Sequence, residues 1–344
     1  MRYTRQEIFK EIGKNGQQRL KKSTIAIVGL GALGSVSAEL MARAGIEKLI
    51  LIDRDVVELS NLQRQGLFDE NGIGKAKAAQ AKEKLIRINS EVNIDFIIDD
   101  LDYTNINEIL PINDKFNNEK SIKKIKTKKN NVDLILDCTD NLETRFLLND
   151  FSVKNKIPFI YSSAVGSKGY IFDVIPQKTA CLRCFLKESS QLDTCETAGV
   201  LNTITHLISS IQVNEALKIL LNKNHEKNLL FFNIWSNELL KIKVNKNNSC
   251  VCCVKKDFEY LSGKKSSKIV KLCGDNVYQI KTKLIDETQF NELKNKLKKI
   301  GKVIDFGYFI NFDAKMTIFM DGRALIKAKD EKEAKSLYSK FVGN

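Results

Sequence analysis

The chain of 344 residues lacks several features that particular functions require. No stretch approaches the ~18 consecutive apolar residues that span a bilayer, so a membrane partner is not expected. The N-terminal residues MRYTRQEIFKEIG contain no apolar segment, and we therefore expect a cytoplasmic protein without a signal peptide. His206 and His225 are the only histidines, so the sequence indicates neither a Ser-His-Asp nor a Cys-His catalytic arrangement.

Arginine is also scarce, although the net charge is +14. Only ten of the 56 basic residues are arginine, and nucleic-acid recognition commonly uses arginine forks. The surplus of lysine therefore indicates a solvated basic surface more than a nucleic-acid interface. Such a surface would also attract an acidic protein partner.

A glycine-rich loop follows the first apolar run of the sequence. Ile25–Val28 is typical of a buried strand, and a helical pattern continues to about Ala44. A second strand, Leu49–Ile52, ends at Asp53, which is placed to bind ribose hydroxyls. This pattern predicts a Rossmann-like nucleotide site whose loop contains Gly29, Gly31, Ala32 and Gly34.

Polar and basic residues crowd the segment after Asp53. A redox cofactor has no evident use for an arginine and a lysine beside its ribose. A triphosphate does, because fixed cations stabilise the charge that develops on its oxygens during transfer. We therefore favour a triphosphate site over a solvated loop, with the candidate residues Asp55, Ser60, Asn61, Leu62, Gln63, Arg64, Gln65 and Lys77.

The segment DCTDN follows another predicted buried strand, Val132–Leu136. Its place at the carboxyl end of that strand is where open α/β sheets bind ligands. Asp140 suits Mg²⁺ on the phosphates, whereas Asp137 is either structural or a supporting acid. Asn141 either orients the nucleotide or caps the following helix.

Eight cysteines in a chain without an apparent signal peptide indicate metal or thiol chemistry more than disulfides. Two C-x-x-C pairs predict a tetrahedral zinc site. Cys252 is a third thiol within the second pair and is a possible substitute for Cys253, although the spacing favours the ligands Cys181, Cys184, Cys250 and Cys253.

The segments GLGALG, DRDVVELSNLQRQ, GKAKA and DCTDN together resemble the ThiF/MoeB/HesA adenylyltransferases, relatives of the ubiquitin-activating enzymes. The resemblance covers Arg2 to Lys256 and continues more loosely to the C-terminus, as in the longer ThiF/MoeB proteins of Gram-positive bacteria. It implies an α/β fold with a Rossmann-like mixed sheet of the ubiquitin-activating-enzyme type and a structural zinc site.

This resemblance also implies an activity. The family uses ATP to adenylate the C-terminal glycine of a small ubiquitin-like sulfur carrier (ThiS- or MoaD-like, ending in Gly-Gly) for thiamin or molybdopterin synthesis. The expected cofactors are Mg²⁺ and Zn²⁺. Arg64 and Lys77 would stabilise the transferring charge, and Arg5 from the neighbouring subunit of a homodimer would reach the phosphates.

Cys195 lies in the motif TCETAGV, just before a predicted helix over Leu201–Leu221. A thiol before a helix N-terminus can have a lowered pKa and act as a nucleophile. In ThiF-like members the matching cysteine forms a covalent sulfur linkage with the carrier, whereas MoeB-like members adenylate without it. An inert cysteine therefore remains an alternative. We see no rhodanese-type loop, so we expect a separate sulfur donor protein.

The domain pattern predicts an adenylyltransferase domain over residues 1–259, a polar linker over 260–267, and a small α+β module over 268–344. Residues 111–131 are rich in lysine and asparagine and resemble a low-complexity insertion.

Two alternative functions remain. An NAD-dependent dehydrogenase or NAD-binding sensor would explain Gly29 to Asp53, but not Lys77 or the cysteine pairs. A tRNA-modifying adenylating relative is favoured by the net charge alone.

Overall fold

A computed structural model describes residues 2–112, 131–187, 198–265, 269–271, 277–280, 286–320 and 322–343. These residues fall into two compact units, the first extending to Lys265 and the second comprising the described residues after it. Cys195 and most of the insertion 111–131 lie outside the described residues. None of the described helices is long and apolar enough to cross a membrane.

The first unit is built on a sheet of eight described strands. They are β1 (Thr24–Val28), β2 (Lys48–Ile52), β3 (Asn93–Ile97), β4 (Leu134–Asp137), β5 (Phe159–Val165), β6 (Lys168–Val174), β7 (Leu229–Asn233) and β8 (Glu238–Ile242). Their order is β3-β2-β1-β4-β5-β6-β7-β8. Strands β1 to β5 are parallel and the last three are antiparallel, which confirms the predicted mixed sheet.

The strand order reverses between β1 and β4. From β1 the chain adds β2 and β3 on one side, and it later adds β4 and β5 on the other. The helices that connect neighbouring strands therefore diverge at this point, which opens a crevice at the carboxyl ends of β1 and β4. Every residue of β1 and β2 is buried, as expected for central parallel strands covered on both faces.

Helices cover both faces of this sheet. In the described part of the first unit they are α1 (Thr4–Ile8), α2 (Gly13–Leu20), α3 (Gly34–Ala44), α4 (Lys77–Ile88), α5 (Ile106–Ile109), α6 (Leu142–Asn155) and α7 (Asn202–Leu220). Helices α3, α4 and α7 pack with Ile25 and Ile27 in one core cluster. Helix α6 packs through Phe146 and Phe151 against the opposite face.

Residues 7–20 are divided between α1 and α2, because the backbone is extended at Phe9 and Gly13 has a φ of +61°. The structure corrects one expectation about this unit. Tyr260 and Leu261, which the sequence pattern places in a polar linker, are both 8 % exposed and pack in the core with α6.

The turn between β7 and β8 carries the single tryptophan of the chain. Trp235 is 81 % exposed, and Leu239 and Leu240 on the edge strand β8 are also exposed. Strand β8 therefore contributes little to the core, whereas Leu230 of β7 is buried in it.

In its described part, the second unit contains a six-stranded antiparallel sheet with two helices. Its elements are β9 (Ile269–Lys271), β10 (Val277–Ile280), α8 (Glu287–Lys298), β11 (Val303–Asp305), β12 (Phe309–Phe312), β13 (Met316–Phe319), β14 (Ala324–Lys327) and α9 (Glu331–Phe341). The sheet order is β11-β12-β13-β14-β10-β9. Strands β11 and β12 are separate because Gly307 turns the chain between them with a φ of +84°.

Three titratable side chains meet at the end of α7. Asp173 on β6 is 2 % exposed, and its Oδ2 lies 3.1 Å from Nδ1 of His225. Burial raises the pKa of Asp173 to about 6; His225 opposes this shift and the neighbouring Glu215 adds to it. The hydrogen bond to Asp173 in turn raises the pKa of His225.

This cluster predicts a pH-dependent stability. Between about pH 4 and pH 6 the unfolded chain releases the Asp173 proton while the folded chain retains it, so the free energy of unfolding falls as pH rises. Protonated His225 also stabilises the folded chain, and this stabilisation is lost as pH rises above the ordinary pKa of histidine. The free energy of unfolding should therefore fall by about 3 kcal/mol as pH rises from about 4 to about 6, and Asp173→Asn should remove this fall. Urea unfolding followed by far-ultraviolet circular dichroism measures the effect. An unchanged pH profile in this variant would contradict the assignment.

Candidate nucleotide-binding and zinc sites

The glycine loop after β1 lies against the turn after β4. Gly29 has a φ of +86°, and a Cβ added there would approach the carbonyl oxygen of Cys138 to 2.6 Å. A Cβ added at Gly34 would overlap the carbonyl oxygen of Gly29. Glycine at these two positions is therefore required by the close approach of backbone segments.

Gly31 has more space around it than Gly29 and Gly34. A Cβ added there would meet only Nε2 of Gln65, at 3.9 Å, and otherwise open space. The loop then leads directly into α3, whose N-terminal amides favour an anion. This open backbone has room for a phosphate group.

Asp53 shapes the loop from the end of β2. Its Oδ2 accepts a hydrogen bond from the amide of Leu30, and its Oδ1 accepts one from the amide of Asp55 at 2.7 Å. Burial raises the pKa of Asp53 although Lys77 opposes the shift. Asp53, the predicted ribose ligand, thus also stabilises the conformation of the glycine loop.

Lys77 is the first residue of α4 and is 6 % exposed. Its Nζ lies 3.4 Å from Oδ2 of Asp55, and its amide donates to the carbonyl of Asp55 at 2.9 Å. Burial disfavours the charged form, but Asp55, Asp53 and Asp140 outweigh burial and raise the pKa of Lys77. The lysine is therefore a buried cation held among three carboxylates.

The segment SNLQRQ forms a compact loop beside Gly31. The amides of Arg64 and Gln65 both donate to the carbonyl of Asn61, and the Arg64 guanidinium donates to the carbonyl of Ser60 at 2.9 Å. Asn61 Oδ1 and Gln65 Oε1 are buried without a hydrogen-bond partner among the described residues. These atoms suit a polar ligand. Ala32 and Leu62 are half-buried, whereas Gln63 is exposed.

The turn after β4 is held by its own side chains. Asp137 is fully buried and accepts hydrogen bonds from the amide and hydroxyl of Thr139 at 2.9 and 2.7 Å. Asn141 caps α6 by accepting from the amide of Thr144 at 2.8 Å, which is the capping alternative of the two predicted. Asp140 is exposed. Cys138 is buried, and burial raises the pKa of its thiol, so it is a core side chain.

Sequence reasoning missed three side chains that support this site. Arg145 of α6 donates to the carbonyl of Thr139 at 2.6 Å, and Arg54 pairs with Asp100 at 3.0 Å. Gln212 of α7 is fully buried and donates to the carbonyl of Asp137 at 3.0 Å. A polar residue on the apolar face of a predicted helix was the available signal for Gln212.

Arg5 does not join the other candidate residues. It is exposed on α1, and its neighbour Gln6 donates to the carbonyl of Ala44 at the C-terminal end of α3. The glycine loop lies at the other end of α3, about 16 Å away along an eleven-residue helix. This position gives Arg5 no described contact with the loop of its own chain.

Four cysteines from the two C-x-x-C pairs lie together. The sulfur of Cys181 is 3.9 Å from that of Cys184 and 3.6 Å from that of Cys250, while Cys184 and Cys253 are 3.5 Å apart. A tetrahedral zinc site with bonds of about 2.3 Å separates neighbouring sulfurs by about 3.8 Å. The donor set and its dimensions therefore fit zinc. Cys252 is not part of this group, so the structure favours Cys253 as the ligand.

Residues 3–252 match the model of the ThiF family. The chain belongs to the ThiF family. The *Bacillus subtilis* (strain 168) member named sulfur carrier protein ThiS adenylyltransferase is 38 % identical over 353 residues and covers 99 % of both chains. The predicted family membership is therefore confirmed, and the similarity extends through the second unit.

Two further proteins match part of the chain. The molybdopterin-synthase adenylyltransferase of *Haemophilus influenzae* is 36 % identical over 224 residues, which are 64 % of this chain and 84 % of that protein. The crystal structure of *E. coli* MccB with ATP has a TM-score of 0.61 and 21 % identity, covering 74 % of each chain. At that identity the match shows the shared fold.

The glycine loop yields a prediction with a matched control. We expect Gly31→Ala to change thermal stability by less than about 1 kcal/mol, because its Cβ enters open space. ATP affinity should fall about tenfold, because the new methyl group occupies the phosphate cradle. Gly34→Ala should instead destabilise by several kcal/mol through overlap with the Gly29 carbonyl. Thermal unfolding and ATP titration test both variants; undiminished ATP affinity in Gly31→Ala would place the phosphates elsewhere.

Proposed function

We propose that this protein uses ATP to adenylate the C-terminal glycine of a small ubiquitin-like sulfur carrier of the ThiS type. One observation carries the proposal: the 38 % identity to *Bacillus subtilis* ThiS adenylyltransferase across 99 % of both chains. A MoaD-type carrier is the second candidate substrate of the same reaction, since the *Haemophilus influenzae* relative is a molybdopterin-synthase adenylyltransferase. The NAD-dependent and tRNA-modifying alternatives receive no such support.

In the proposed reaction, a carboxylate oxygen of the carrier's terminal glycine attacks the α-phosphorus of ATP. The bond from that phosphorus to the pyrophosphate oxygen breaks, which gives a carrier acyl-adenylate and pyrophosphate. Negative charge builds on the transferring oxygens, and cations already fixed in place stabilise it without reorganisation.

The open backbone at Gly31 and the N-terminus of α3 would hold phosphate oxygens. Lys77 would supply a cation whose position Asp55 fixes, and Arg64 would supply a second cation from the adjoining loop. The unpartnered oxygens of Asn61 and Gln65 would accept hydrogen bonds from the nucleotide.

We assign Mg²⁺ to Asp140, at the exposed carboxyl edge of β4. The Asp140 carboxylate is close enough to Lys77 to contribute to the raised pKa of that lysine, so it borders the same site. A bound Mg²⁺ would neutralise charge on the phosphate oxygens.

The proposed zinc ion would have a structural role. Four cysteine ligands leave no open coordination position, as is typical of structural sites. The metal would join the segment around Cys181 to the segment around Cys250, which lie 69 residues apart in the sequence.

Three further parts of the proposal concern partners. Arg5 would act on the phosphates of a neighbouring subunit in a homodimer, in keeping with its distance from its own glycine loop. Cys195 would accept the activated carrier or relay sulfur. A separate protein would donate that sulfur.

The proposed reaction is tested by ATP–pyrophosphate exchange with purified ThiS-type and MoaD-type carriers. We expect exchange to require one carrier and to disappear when that carrier lacks its terminal glycine, because the glycine carboxylate is the nucleophile. The carrier that supports exchange identifies the pathway, thiamin or molybdopterin synthesis. No exchange with any carrier, in a folded protein that contains zinc, would overturn the proposed function.

Lys77→Met should lower the exchange rate by about 10²-fold or more, because it removes a preorganised cation from the developing charge. Lys75→Met is the matched control, since Lys75 lies two residues earlier and is exposed. Initial exchange rates at saturating carrier measure the effect. A rate for Lys77→Met within twofold of the control would remove this lysine from the proposed mechanism.

A further inference from the structure

Helix α6 connects the candidate nucleotide site to the cysteine pairs. Its N-terminal end is capped by Asn141, directly after Asp140. Asn149 lies eight residues further along the same helix, a distance of about 12 Å. One rigid element therefore has the proposed Mg²⁺ residue at one end and the proposed zinc site beside its other half.

Asn149 contacts both cysteine pairs at once. Its Oδ1 accepts a hydrogen bond from the amide of Leu182, inside the first pair, at 2.8 Å. Its Nδ2 donates to the sulfur of Cys252, inside the second pair, at 3.3 Å. Asn149, Leu182 and Cys252 are all fully buried, so water does not replace these contacts.

Cys252 contacts α6 and lies outside the four-sulfur group. Its sulfur accepts from Asn149 while the flanking Cys250 and Cys253 belong to the four-sulfur group. The adjacent residue of α6 adds a further attachment, because Asp150 accepts from the amide of Tyr260 at 3.0 Å. The two cysteine segments and the chain that follows them are thus attached to neighbouring residues of one helix.

The same helix is also attached to the nucleotide-binding turn. Arg145, one turn before Asn149, donates to the carbonyl of Thr139 at 2.6 Å, and its Nε lies 3.6 Å from Oδ2 of Asp137. A shift of α6 would therefore displace the turn that carries Asp140.

From this geometry we infer that Asn149 is a positioning residue that couples closure of the zinc site to the placement of the nucleotide-binding turn. Zinc brings the two cysteine segments together, Asn149 attaches both segments to α6, and α6 sets the position of Asp140. The inference rests on the proposed zinc and nucleotide sites, but not on the identity of the carrier.

The test measures zinc release and ATP binding, both without any carrier. Asn149→Leu keeps the branching at Cγ and removes both hydrogen bonds. We expect it to release zinc to a chromogenic chelator about tenfold faster or more, as for other residues that support metal ligands. Asn149→Asp retains an acceptor for the Leu182 amide and should show an intermediate rate. Asn155→Ala is the matched control, because Asn155 is on the same helix and its side chain donates to the carbonyl of Phe151 and to no other described residue.

The coupling between zinc binding and ATP affinity is measured by ATP titrations of zinc-loaded and zinc-stripped protein. Stripping should weaken ATP binding about tenfold in the wild type and in Asn155→Ala. Zinc-loaded Asn149→Leu should already bind ATP more weakly, and stripping should weaken it little further. Folding of each sample is checked by circular dichroism.

Two outcomes would overturn the inference: an unchanged rate of zinc release in Asn149→Leu, or an equal effect of stripping on ATP affinity in this variant and the wild type. A wild type that binds ATP and zinc but adenylates no carrier would refute the proposed function and leave the coupling intact. A wild type that binds neither would refute both.

Discussion

The contact between the glycine loop and the turn after β4 is the constraint on which the candidate nucleotide site depends. Gly29 approaches the carbonyl of Cys138 so closely that no side chain fits between them. The contact places the open backbone at Gly31, our proposed phosphate site, beside the turn that carries Asp140. The acidic and basic residues of the proposed site are brought together because these two backbone segments meet.

Around this contact, the chain compensates the cost of burying charge. Lys77 is buried, yet Asp53, Asp55 and Asp140 keep it protonated. Asp137 is buried as well, and burial raises its pKa to about 6, an effect that Arg145 partly offsets. The same arginine holds the turn, so charge compensation and backbone placement are accomplished by one side chain.

The sequence was informative where function depends on local chain geometry. The glycine spacing, the acid after β2 and the C-x-x-C pairs are short patterns whose physics is local, and they predicted the strand–loop–helix geometry and the four-sulfur group. The sequence did not predict Gln212, Arg54 or Asn149, because their importance comes from contacts with residues far away in the chain. Asn149, for example, meets Leu182 and Cys252, which are 33 and 103 residues distant.

The exposed hairpin between β7 and β8 has a practical consequence for spectroscopy. Tryptophan emission reports unfolding when the indole moves from an apolar core into water. Trp235 is the only indole in the chain and is already 81 % exposed in the folded state. Its fluorescence will therefore change little when the protein unfolds. The same indole is a clean optical probe of anything that covers the hairpin, because no second tryptophan contributes background.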